Sequence, residues 1–161
     1  MPAKPLETAP RPAPPKPTAA TRVPAGPKVA ARADFDRDAA QFCQKQIGRW
    51  KQSDARNLLG KPLRERPALD EKKLVNGRIY AFSDPSGRNK ELELDFDVAT
   101  GSLRTVFVYP TQMTWRECLA RWTGKVTSTD AQQGRTFHSY VNRRLDVLVD
   151  QKGKVISLGM Y

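Results

Sequence analysis

Between Asp34 and Trp50 the apolar residues Phe35, Ala39, Phe42, Cys43, Ile47 and Trp50 recur at helical spacing, which predicts an amphipathic helix of about four turns. Asp34 is read as its cap, and Asp36 and Asp38 suit its positive end. A short second helix follows, with Ser53 as cap, Ala55, Leu58 and Leu59 inward, and Gly60 as the stop before Pro62. Residues 61–75 read as irregular and charged. Three strands come next: Gly77–Ser83, Lys90–Val98 and Ser102–Tyr109, joined by turns at Asp84-Pro85-Ser86-Gly87 and Ala99-Thr100-Gly101. The middle one alternates strictly, with Leu92, Leu94, Phe96 and Val98 on one side and Glu91, Glu93, Asp95 and Asp97 on the other.

The pattern then recurs. Thr114 to Glu117 is a capping box opening a helix with Trp115, Cys118, Leu119 and Trp122 on one side and Gly124 at its end. Gly134–Val141 echoes Gly77–Ser83 through a shared Gly-Arg start. Arg143–Asp150 ends in an apolar-Asp step like Phe96-Asp97, and Gly153 stands where Gly101 stood, before a last strand over Lys154–Tyr161. This predicts an α+β fold: a tandem repeat of helix plus three-stranded antiparallel meander, residues 34–110 and 111–161. Each half is too small to close a core alone. The economical arrangement merges their strands into one antiparallel sheet of six with the helices on one face.

Composition changes this picture at the N-terminus. Of 161 residues 13 are proline, and most of these precede position 28. Residues 1–33 hold Lys4, Arg11, Lys16, Arg22, Lys28 and Arg32 against Glu7 alone, with only Leu6, Val23 and Val29 to enter a core. Such a segment cannot offset its ordering entropy and reads as a disordered, basic Pro/Ala/Lys-rich tail or spacer. It contains no apolar stretch of the kind a secretory signal needs. Two locations stay open: the periplasm or cell envelope, with a signal or anchor removed ahead of the spacer, or the cytoplasm with a disordered arm. The net charge of +11 reads either as a solvated, moderately basic surface or as a preference for an anionic partner, whether nucleic acid, an anionic membrane surface or an acidic protein.

Chemistry-bearing residues are few. Cys43 and Cys118, with the single histidine His138, assemble no zinc set. The two cysteines read either as buried thiols or as one disulfide in an oxidising compartment. Glu91, Glu93, Asp95 and Asp97 could in principle do acid–base work or hold a hard cation. The simpler expectation is a charged strand face meeting cross-strand cations, Arg104 opposite Asp95. Trp50, Trp115 and Trp122 read as core. No phosphate loop, dinucleotide fingerprint or hydrolase motif occurs, so neither an enzyme, a cofactor nor a metal is expected.

The run Ser53-Asp54-Ala55-Arg56-Asn57-Leu58-Leu59-Gly60-Lys61-Pro62, followed by a meander with Asp95-Phe96-Asp97 before a Gly turn, resembles the small outer-membrane lipoprotein family of the β-barrel assembly machinery. Doubled, it is similar to the tandem-repeat fold of the β-lactamase inhibitor protein family. The resemblance covers residues 41–109 well and 113–161 more loosely, where Trp122-Thr123-Gly124-Lys125 lacks the proline. It implies a non-catalytic bacterial envelope protein that binds another protein through the open face of its sheet. The lipid-anchor cysteine of the lipoprotein branch has no counterpart in this chain. On that expectation the partner-binding residues are Arg104, Val106, His138, Tyr140 and Arg144, all read as facing outward, with Tyr80, Phe82, Phe137 and Ser139 read as facing inward. The alternative is a binder of nucleic acid or another anionic polymer through the tail and the basic sheet.

Overall fold

Eight strands, two more than the pattern predicts, build one sheet in the computed structural model, which describes residues 27–161. They are β1 (Arg64–Leu69), β2 (Val75–Ser83), β3 (Asn89–Asp97), β4 (Leu103–Pro110), β5 (Thr127–Asp130), β6 (Thr136–Tyr140), β7 (Leu145–Val149) and β8 (Val155–Met160). The order is β1-β2-β3-β4-β8-β7-β6-β5, and every neighbouring pair is antiparallel. Four helices complete the α+β fold: α1 (Pro27–Arg37), α2 (Ala39–Lys45), α3 (Gln52–Leu59) and α4 (Trp115–Arg121). None is long and apolar enough to cross a membrane.

The two unforeseen strands are the two edges. β1 reads Arg-Glu-Arg-Pro-Ala-Leu and β5 Thr-Ser-Thr-Asp, neither of which carries an apolar alternation. An edge tolerates such residues because one side of its backbone needs no partner, and proline and charge there discourage pairing with other chains.

At the N-terminal side, residues 1–26 of the expected tail lie outside the described residues. Residues 27–33, assigned to that tail by composition, are instead the first turns of α1, with Pro27 at the helix start, where its missing N–H costs nothing. The long helix expected from Asp34 to Trp50 is broken at Asp38, whose backbone is non-helical (φ −157°, ψ 88°) and whose carboxylate accepts from Gln41 N–H at 3.1 Å. Asp38, not Asp34, is thus a helix cap. α3 likewise has its cap two residues earlier than Ser53: Lys51 is the cap residue, and Asp54 accepts from Lys51 N–H at 2.8 Å. The capping box of Thr114 and Glu117 is formed at the start of α4.

The core follows from register. One inward row runs Tyr80, Leu94, Val106, Met160, Leu145, Tyr140 across β2 to β6, and the next runs Phe82, Leu92, Val108, Leu158, Val147. Phe35, Ala39, Cys43, Ala55 and Cys118 of the helices join the same buried cluster, with Phe42, Trp50, Trp115 and Trp122 packed around it. Cys43 and Cys118 are both free and both fully buried. Burial pushes the Cys43 thiol up to about 12, with Asp84 nearby adding to the effect, and burial raises Cys118 to about 11. Neither is therefore a thiolate at neutral pH, and in this structure the two stand as separate buried thiols. Native protein is expected to resist thiol reagents, whereas protein denatured without reductant should show both thiols by mass spectrometry. A single bridged pair in that measurement would contradict this arrangement.

Candidate functional site

The outer face of the sheet, opposite the core, is built by the alternate residues. Its longest row is Arg64, Ala81, Glu93, Phe107, Gly159, Asp146, Ser139 and Thr127, one residue from each of the eight strands. Beside it lie Arg66, Ile79, Asp95 and Thr105 in the first four strands and Ser157, Leu148, Phe137 and Thr129 in the last four.

On the first half the face is charged, and the charges are paired. Arg64 reaches over Ala81 to Glu91, and Arg66 reaches over Ile79 to Glu93 at 3.1 Å. Both pairs run diagonally across β2, where the short Ala81 lets a guanidinium pass. Ile79 and Ala81 are buried although they stand apart from the main core, because the arginine stems cover them. Tyr109 hydroxyl donates to Glu93; burial foremost, and then this carboxylate, raise its pKa above the ordinary tyrosine value.

Arg104 holds the other end of the charged half. Its Nε donates to Asp95 Oδ2 at 2.8 Å and its Nη2 to Asn76 Oδ1 at 2.8 Å, with Asp97 Oδ2 3.7 Å from Nη1. Asp95 is 7% exposed, and its Oδ1 has no hydrogen-bond partner among the described residues. Gly77 makes this possible, since a Cβ there would collide with both the Arg104 guanidinium and the Asp95 carboxylate. Asp97 ends β3, where the N–H of Thr100 foremost, with that of Ala99, both in the turn that follows, lowers its pKa below the carboxylate norm. The acidic strand is therefore an ion-paired face. Among the described residues no group of three or more His, Cys, Asp and Glu is placed to hold a metal ion.

On the second half the face is less charged. The Phe107 ring lies over Gly159, 3.4 Å from where a Cβ would stand. Ser139 donates to Asp146 at 2.7 Å. Leu148 is half-buried and Phe137 is 40% exposed.

Of the residues expected to bind a partner, Arg104 is on the outer face and Arg144 is exposed, in the left-handed conformation (φ 50°) at the β6–β7 turn. Val106 and Tyr140 are not on that face: both point into the core, at 0% and 1% exposure. The reason for Val106 is a bulge. Phe96 pairs with Leu103 but Asp95 pairs with Thr105, so Arg104 is an extra residue and the in–out phase flips after it. In β6 the phase is set by β7, whose buried Leu145 and Val147 stand opposite Tyr140 and His138. Cross-strand partners share a side, so Phe137 and Ser139, expected inward, face out. His138 faces the helix side, stacked on the Trp115 ring at 3.8 Å between centroids and with Ser128 Oγ 2.7 Å from its Nδ1. Desolvation there lowers its pKa. Phe107, Phe137 and Leu148 were missed as surface residues because the phase of their strands is decided by a bulge and by a neighbouring strand. No family model, curated protein or solved structure matches this chain.

Proposed function

We propose that the chain is a non-catalytic protein-interaction module of the bacterial cell envelope, and that it grips its partner with the outer face of the sheet. The observation that carries this reading is the eight-strand outer row and its flanks, which offer Phe107, Leu148 and Phe137 beside side chains already held in ion pairs. Pre-ordered arginines lose little rotamer freedom when a partner arrives, which lowers the cost of association. Apolar residues amid a polar rim fit a protein contact. They fit nucleic acid less well, because Arg64, Arg66 and Arg104 are already neutralised by carboxylates and release few counterions.

In this reading the fold is a duplication with all four helices on the core side. Two facts support it. The strand order is the same run of four, reversed, on each side of the β4–β8 junction. In both halves the residue capping a helix bridges to the residue after a turn glycine: Lys51 to Ser102 past Gly101, and Thr114 to Lys154 past Gly153. The resemblance to the envelope families rests on this same repeated unit.

The test is a photo-crosslinking side chain at Phe137 in living cells. A discrete protein adduct is expected, and it should disappear when Phe107→Glu is added, while a crosslinker at exposed Lys72 yields none. The same adducts from both positions, or adducts indifferent to Phe107→Glu, would refute the proposed face.

A further inference from the structure

One end of the sheet gathers cations that are unpaired among the described residues, unlike the ion-paired outer face. There an open cleft of about 560 Å³ is lined by Lys90, Arg135, Lys152 and Lys154 together with Pro110 and Ile156. Lys90 lies at the start of β3, Arg135 just before β6, Lys152 in the β7–β8 turn and Lys154 just before β8. Among the described residues none of these four cations is in an ion pair. The carboxylate in the cleft lining, Asp150, is already engaged: its Oδ1 accepts the backbone N–H groups of Lys152 and Lys154, both at 2.9 Å. Four cations therefore converge on a cleft whose own anion is committed to holding a turn.

The span of the charges decides what would fit. In the order β3-β4-β8-β7-β6, Lys90 and Arg135 stand four strand steps apart, about 19 Å at ~4.8 Å per step. A lone phosphate would meet one or two of the cations. An extended peptide of about six residues, at ~3.3 Å each, would meet all of them. A single-stranded nucleic acid has the length, but it binds by stacking its bases on aromatic rings, and the cleft lining contains none. Its apolar floor is Pro110, Val155 and Ile156, suited to aliphatic side chains between carboxylates.

We propose that this cleft docks an extended acidic segment of the protein partner, at a place distinct from the outer face; the idea rests on the reading of the chain as a protein-binding module. Arg135 offers a two-pronged guanidinium contact to one carboxylate and the lysines supply point charges to the others. Because all four side chains sit at the rim of the fold, their contribution is salt-sensitive.

The experiment uses the full chain and a fluorescein-labelled hexaglutamate peptide, read by anisotropy. Binding is expected, weakening steeply between about 50 and about 200 mM salt. The combined variant Lys90→Gln, Arg135→Gln, Lys152→Gln and Lys154→Gln should bind about tenfold more weakly. A control carrying Lys45→Gln, Arg49→Gln, Lys61→Gln and Lys72→Gln makes the same change in net charge elsewhere and should bind within about twofold of the original. Should Arg135→Gln disturb the fold, the variant of the three exposed lysines alone gives the same comparison. Equal weakening in both sets, or no binding to the peptide, overturns the proposal. So does tighter binding of a twelve-residue oligothymidylate that is lost with the same four cations. Persistence of the Phe137 adduct in cells alongside any of these failures would leave the outer-face reading standing, and loss of that adduct's dependence on Phe107 would remove the other reading while hexaglutamate binding stood.

Discussion

Val106→Lys is expected to unfold the domain, whereas Thr105→Lys one residue away leaves it folded. Val106 has no exposure and sits in the inward row between Leu94 and Met160. An ammonium there has no carboxylate to meet and no route to water, at a cost of about 4 kcal/mol or more. That is a large share of the roughly 5–15 kcal/mol that holds an ordinary domain together. Thr105 stands on the outer face directly opposite Asp95, so a lysine there gains an opposite charge and keeps its stem over the sheet. Thermal and denaturant unfolding followed by circular dichroism check the pair. A stable Val106→Lys protein would mean that the phase of β4 is the reverse of the one described.

Arg104→Leu is the second large effect, for a reason that exposure alone would not reveal. Asp95 is nearly buried, and among the described residues one of its two oxygens already lacks a partner. Removing the guanidinium strips the other oxygen and leaves an uncompensated charge under the Gly77 backbone, which costs about 3 kcal/mol. For a domain of this size that is a fall of about 10 °C in Tm. Adding Asp95→Leu should restore more than half of the loss, since the pair together is worth much less than one orphaned member. By contrast Arg64→Leu breaks a pair whose arginine is 57% exposed, and its effect should be much smaller. If Arg104→Leu and Arg64→Leu unfold alike, the Asp95 cradle is not an energetic feature of the fold.

Some of this was readable along the chain. The alternation of Leu92, Leu94 and Phe96 with Glu91, Glu93 and Asp95 placed β3 and the polarity of its two faces, because period two is a property of the strand itself. The ion pair of Arg104 with Asp95 was expected from directly opposite positions, but Thr105 stands opposite Asp95 and Arg104 reaches the carboxylate from the bulge. Turns at Gly101 and Gly153 and the Thr114–Glu117 cap depend on neighbours in sequence, and the structure forms each of them. The polar edge strands β1 and β5 carried no such signal, since what makes them strands is the partner beside them. The extent of α1 was equally hidden: Pro27–Arg37 has weak amphipathic patterning and becomes structure where Phe35 enters the core.

The candidate site shows the same division more sharply. Arg104 and Arg144 were placed near the surface by their chemistry, but Val106 and Tyr140 were assigned outward and lie inward, and Phe137 was assigned inward and lies outward. A strand's faces are interchangeable in sequence until something outside it chooses. For β4 the choice is one bulged residue, and for β6 it is the hydrophobic side of β7. Local composition and spacing therefore determined the α+β class, most of the strands, the cap of α4 and the turns, since each is settled within a few residues. Which side of each strand enters the core, and how cations from β3 and from the loops before β6 and β8 come together at one end, was decided only when distant segments paired, because strand phase is a relation between chains of residues far apart in sequence.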